Sequence, residues 1–182
     1  MKKIAVHLAE GFEEIEAISI IDVLRRANFE VTVVAITNST EVTGAHDIKV
    51  IADTLFEDVD YQLIDMIVLP GGMPGALNLK AHGGLREQIL NFNDSQKPLG
   101  AICAAPMVFG NLGLLKNKNA TCFPGFEDEL HGAIITGNDV EAADHIVTGK
   151  GAGVAIDFAL KIVEQLEGKE LAYELGKKMM VK

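Results

Sequence analysis

The chain has 182 residues, 48% of them hydrophobic and 23% charged, with no Pro/Ser-rich linker, charge block or internal repeat, so residues 1–182 read as one domain with a full-sized core. A net charge of −10 argues against nucleic acid or an anionic membrane as the main partner, since both would repel it. No segment is long and apolar enough to span a bilayer, and two cysteines, Cys103 and Cys122, are too few for a disulfide framework.

In chain order, the first element is a strand over residues 3–8. The opening Met1-Lys2-Lys3 and its apolar run resemble a signal peptide, but the run is short and Glu10, Glu13, Glu14 and Glu16 follow at once. With no export signal, the expected compartment is a reducing cytoplasm. A helix is predicted over 13–26, a strand over 30–36, and a short buried strand over 66–69 that runs into Pro70-Gly71-Gly72. A helix from about 85 to 92 precedes an apolar strand, Leu99-Gly100-Ala101-Ile102, that stops on Cys103; a strand over 146–148 and a long helix over 153–167 follow. Strands separated by helical patterns imply an α/β fold with a parallel sheet covered on both faces. Ligands in such sheets bind beyond the carboxyl ends of the strands. Leu8, the Gly71-Gly72 turn and Cys103 all lie at carboxyl ends, so they are expected to meet at one crevice.

Cys103 ends a strand and is followed at once by Ala104-Ala105-Pro106, a helix start whose N–H groups point back at the sulfur. That placement prepares a thiolate, although a free cysteine also packs well as a small apolar residue. On the first helix, Ala17, Ile20, Ile21, Leu24 and Ala27 form an apolar stripe, and Glu16 leans toward it through the series Glu16, Ile20, Val23, Ala27. Burial disfavours a charged carboxyl, which would make Glu16 a proton donor near neutral pH; the alternative is a glutamate at the stripe's rim reaching water. Glu13 falls at the helix start, where an acid can stay wet, and Glu14 at the stripe's edge is expected to be solvated. The glycines at 71, 72 and 75 permit close backbone approach and could present N–H groups to an oxyanion, or could simply make a turn. Neither they nor Gly149-Lys150-Gly151-Ala152-Gly153 have the spacing of a nucleotide-binding loop. His7, His46, His82, His131 and His145 show no metal-ligand spacing, so no metal is expected; His7 reads as a core or edge residue, and no histidine stands out as a base.

Five segments together resemble a known family: Gly11-Phe12-Glu13-Glu14-Ile15-Glu16 after the first strand, Asp22-Val23-Leu24-Arg25-Arg26, Val68-Leu69-Pro70-Gly71-Gly72, Ala101-Ile102-Cys103-Ala104-Ala105-Pro106, and Ala155-Ile156-Asp157-Phe158-Ala159-Leu160. They look like the ThiJ/PfpI family, in the branch of the parkinsonism-associated protein deglycase and its bacterial relatives, over essentially the whole chain. The resemblance implies a flavodoxin-like three-layer sandwich with a mainly parallel sheet and a cysteine nucleophile elbow, in a homodimer that needs no cofactor. Carried over by position, it makes Cys103 the nucleophile, Glu16 the acid that shares a proton with it, and the backbone N–H groups of Gly72 and Ala104 the oxyanion donors. Gly71, His46, Phe123 and Cys122 become pocket candidates. Cys122 could resolve an oxidised Cys103 or simply pack, and the exposed Ile15 and Ile18 would suit a dimer interface.

Three departures shape the expectation. Phe123 stands where many relatives place a histidine before a proline. Ala104 replaces the histidine that follows the nucleophile in the peptidase-like branch, which argues against proteolysis. His46 stands where some relatives have a pocket arginine. The implied function is a stress-protection enzyme acting on small reactive carbonyls or glycated groups, of glyoxalase or deglycase type. The alternative is a dimeric redox sensor or chaperone-like protein in which Cys103 is oxidised without turnover.

Overall fold

Alternation along the first strand sorts the core. In β1 (Lys3–Leu8), Ile4, Val6 and Leu8 fall in one apolar cluster and Ala5 in another, as the two-residue period of a strand requires. The structure, a computed structural model, describes residues 1–181.

The remaining elements follow as α1 (Glu14–Arg26), β2 (Glu30–Ala35), β3 (Glu41–Thr43), β4 (Lys49–Ile51), β5 (Thr54–Leu55), β6 (Met66–Leu69), α2 (Gly75–Ala81), α3 (Gly83–Asp94) and β7 (Leu99–Ile102). They continue with α4 (Pro106–Asn111), β8 (Asn119–Ala120), β9 (Ile134–Ile135), β10 (Val140–Ala143), β11 (Ile146–Gly149), α5 (Ala155–Glu167) and α6 (Lys169–Lys178). Seven strands form the central sheet in the order β10-β11-β7-β6-β1-β2-β5. All pair in parallel except β10, which lies antiparallel to β11. Helices cover both faces: α1, α5 and α6 pack with Ile4, Val6 and Leu8, while α2, α3 and α4 pack with Ala5, Ile67 and Leu69. This is the flavodoxin-like sandwich with a mainly parallel sheet.

The long helix starts two residues later than the periodicity predicts, at Ala155, because Ala152–Val154 forms a 3₁₀ turn that carries the chain off β11. From there Ala155, Phe158, Ala159, Ile162 and Val163 form its buried stripe. Truncating the fully buried Phe158 to alanine would cost about 3–5 kcal/mol. Among the described residues, no helix is long and apolar enough to cross a membrane.

Candidate active site

The carboxyl ends of β1, β6 and β7 do meet. β7 runs out beside β11, with Ile102 in register with Gly149, and the next residue is Cys103. The Cys103 N–H donates to the Gly149 carbonyl at 2.9 Å, and its own carbonyl accepts the Phe123 N–H at 2.8 Å. Between these two anchors the backbone of Cys103 turns to φ = 64°. That left-handed conformation costs an L-residue about 1–2 kcal/mol. It lifts the side chain out of the strand's alternation, half-buried at the head of a turn that enters α4 with Pro106 as its first helical residue.

Glu16 approaches from the other side. It lies in the first turn of α1, fully buried, with Glu13 Oε2 accepting its N–H at 2.7 Å. Its carboxyl Oε2 accepts the Gly71 N–H at 2.8 Å, a bond buried at both ends. The carboxyl and the Cys103 thiol are close enough that each shifts the other's protonation. Gly71 sits between them so closely that a Cβ there would lie 2.5 Å from Cys103 Cβ and 2.8 Å from Glu16 Oε2. Only glycine fits that gap. Gly72 follows at φ = 92°, and its N–H and that of Ala104 both favour the thiolate of Cys103.

The protonation of this pair follows from its surroundings. Burial pushes the Glu16 carboxyl up to about 7, against the pull of the Gly71 N–H, so a protonated carboxyl is accessible near neutral pH. Burial, together with the negative charge of an ionised Glu16, pushes the Cys103 thiol up to about 12, while the Gly72 and Ala104 N–H groups oppose the rise. With the proton on Glu16, the carboxyl becomes a donor to sulfur and its repulsion disappears, which favours the thiolate.

Residues 2–165 match the DJ-1/PfpI family. The chain belongs to this family. It is 41% identical over 177 residues to "Protein DJ-1 homolog B" of Arabidopsis thaliana, an alignment covering 96% of this chain and 40% of that protein, so the chain spans about two fifths of that relative's length. It is 36% identical over 171 residues to the "Glutathione-independent glyoxalase DJR-1.2" of Caenorhabditis elegans, covering 92% of this chain and 90% of that one. Of solved structures, that of oxidized Toxoplasma gondii DJ-1 superposes with a TM-score of 0.95 at 36% identity, covering 99% of this chain and 98% of its counterpart.

The other residues singled out in this DJ-1/PfpI chain fall into three groups. Phe123 and Cys122 neighbour the Cys103 backbone: Phe123 is half-exposed and bonded to the Cys103 carbonyl, and Cys122 is a buried free thiol, which burial pushes up to about 11. His46 lies in the loop between β3 and β4, largely exposed, with Nδ1 paired to Glu14 Oε2 at 2.7 Å. Of the remaining histidines, His131 is exposed and the other three are engaged elsewhere. His7 is fully buried with Nε2 2.7 Å from the Tyr61 hydroxyl, His82 accepts the Leu85 N–H at the start of α3, and His145 lies within 3.2 Å of Asn93 Oδ1.

Glu14 corrects the sequence reading. Expected in solvent, it is 5% exposed, because the 44–48 loop folds over it and donates the His46 N–H and side chain to its carboxylate. A Cβ at Gly44 would collide with the Glu14 side chain, so the glycine lets the loop pack this closely. Burial would raise the Glu14 carboxyl, but the His46 hydrogen bonds hold it below its ordinary value; the same bond raises His46. Nothing in the helical stripe reports this, since the partner lies in an irregular loop. Glu13, Glu14 and His46 are also the one group among the described residues with ligand atoms gathered within 4.8 Å, as a metal would need. There His46 and Glu14 are already engaged with each other.

Proposed function

We propose that the chain is a cofactor-independent enzyme of glyoxalase or deglycase type that protects against reactive carbonyls, with Cys103 as nucleophile and Glu16 as the proton carrier beside it. The observation that carries this reading is the Glu16 carboxyl, fixed by the Gly71 N–H against the thiol and titrating at about 7. A general acid or base works best with its pKa near the operating pH. The relative named as a glutathione-independent glyoxalase points to the same chemistry.

With a small α-oxoaldehyde, the Cys103 sulfur adds to the aldehyde carbon and the carbonyl electron pair moves to oxygen. The Gly72 and Ala104 N–H groups stabilise that oxyanion, and Glu16 gives it a proton to complete the hemithioacetal. Loss of the proton on the former aldehyde carbon and its return to the neighbouring carbon oxidises the first and reduces the second, leaving a thioester. Water then cleaves the C–S bond, releasing the 2-hydroxy acid and the thiol, so no outside oxidant is needed.

A second reading is a redox sensor or chaperone-like protein. The same Glu16 donor would hold a Cys103 sulfinate, and the superposing Toxoplasma structure is of an oxidized form. In either case a homodimer is the proposed assembly, supported by the exposed Ile15 and Ile18 on α1. The deciding experiment follows methylglyoxal consumption and lactate formation by NMR for wild type, Cys103→Ser and peroxide-treated protein. Lactate from the wild type alone supports the enzyme. Absence of lactate, with Cys103 converting to sulfinate at low peroxide, supports the sensor.

A further inference from the structure

The residue that departs from the expected histidine builds a surface of its own. Phe123 and Pro124, from the loop after β8, face Ala152 and Val154 of the 3₁₀ turn across a hollow of about 350 Å³. Its floor carries no side chain at Gly151, where a Cβ would come within 3.3 Å of the Phe123 ring. The single charged residue on its rim, Lys150, has its Nζ turned to the Gly137 carbonyl at 2.9 Å. The walls are therefore apolar, and 48% of Phe123 remains exposed above them.

Position gives this hollow a meaning. One wall is hydrogen-bonded to the Cys103 carbonyl through the Phe123 N–H, and the other continues directly from Gly149, whose carbonyl holds the Cys103 N–H. Both walls are thus tied to the peptide that carries the nucleophile. A polar ligand would find no partner on these side chains, whereas an aryl or branched alkyl group would exchange water for the Phe123 ring and the Val154 methyls. We propose that this hollow is the subsite for an apolar, aryl-sized substituent on the carbonyl compound that reacts with Cys103, so that Phe123 sets substrate size where a proton-shuttling histidine would otherwise stand. The proposal deepens the carbonyl-processing reading and rests on Cys103 being the reacting group.

The test separates the two. Alkylation of Cys103 by iodoacetamide and by N-phenyl iodoacetamide, in each of which sulfur displaces iodide, is followed by intact-mass spectrometry and needs no turnover. The wild type should favour the aryl reagent by about tenfold. Gly153→Leu plants a side chain in the hollow from a position with nothing within 4 Å of its Cβ, so the fold should survive, the aryl preference should vanish and the iodoacetamide rate should hold. Phe123→Ala should reduce the preference as well. In turnover, phenylglyoxal should outpace methylglyoxal in kcat/KM for the wild type and lose that lead in Gly153→Leu. Equal alkylation rates for the two reagents in the wild type would overturn the proposal, as would an aryl preference untouched by Gly153→Leu. A change of molecular mass in solution on Gly153→Leu would overturn it too, by showing that a second copy fills the hollow. Lack of turnover with both dicarbonyls, with the aryl preference intact, would instead count against the enzyme reading alone.

Discussion

Glu16 and His7 are both fully buried ionisable residues near the carboxyl end of the same sheet, yet they are opposite in character. His7 lies between Val6 and Leu8 in β1 and so points to the other face, where its ring stacks on Tyr61 and bonds to the Tyr61 hydroxyl. Burial there drives it down to about 3, so it stays neutral at any physiological pH. Glu16 has one oxygen held by Gly71 and the other, Oε1, without an N–H or O–H partner, next to a half-exposed thiol. Burial brings it to about 7, where both protonation states are populated. Burial alone therefore does not mark a site. What matters is whether it leaves the group neutral for good or poised to change charge beside something reactive.

The largest way to break this contrast is Gly71→Ala, because its Cβ must push Cys103 and Glu16 apart. Cys103 alkylation at pH 7 should fall by about 100-fold, the scale of an ångström-sized misplacement, while His7 stays unprotonated by NMR. Next comes the pair Glu16→Gln and Glu16→Asp. Gln can still accept the Gly71 N–H and donate to sulfur, so Cys103 reactivity should remain within a few-fold of wild type; the shorter Asp withdraws the donor and should cost about tenfold or more. Equal losses in the two variants would sink the shared-proton account.

Stability against pH sharpens the comparison further. Glu16 titrates above its unfolded value of 4.5, so the native state keeps a proton that the unfolded chain has released; its contribution is complete below pH 4.5 and is lost as pH rises toward 7. His7 titrates below its unfolded 6.5, so the unfolded chain takes a proton that the native state refuses, and stability falls as pH drops from 6.5 toward 3. Between pH 4.5 and 6.5 the two slopes oppose each other. Denaturant unfolding at those two pH values should show His7→Gln losing about 2–3 kcal/mol more than wild type on going up, and Glu16→Gln gaining a similar amount. The smallest effect concerns the site's rim. Glu14→Gln should bring His46 down toward its ordinary value, read from its imidazole proton shifts.

The stripe with Ile20, Val23 and Ala27 turns Glu16 inward but leaves a rim glutamate reaching water as the alternative, and only the family resemblance favours the inward acid that the structure buries. Cys103 was legible because an apolar strand ends on it. Their meeting was not a local property. It depends on Gly71, 55 residues from Glu16 along the chain, and only the parallel order of β1, β6 and β7 brings that turn to the helix. Glu14 was misread for a related reason: the 44–48 loop that covers it has no period, and its contact with α1 comes from tertiary folding. Short or polar elements, α2, α6 and the β3–β4 hairpin among them, were missed because they carry too few apolar positions to set a pattern.

The backbone of Cys103 bears on how such a chain would drift. At φ = 64° the local conformation suits glycine or asparagine better than cysteine, so the fold itself does not ask for the thiol. In a library of all substitutions at position 103, selection for folding alone should rank glycine and asparagine level with cysteine or above it. Only a screen for thiol chemistry should restore cysteine to first place. A lineage released from that chemistry would keep the sheet, the Gly71 gap and the buried Glu16 for a time, and lose the sulfur first.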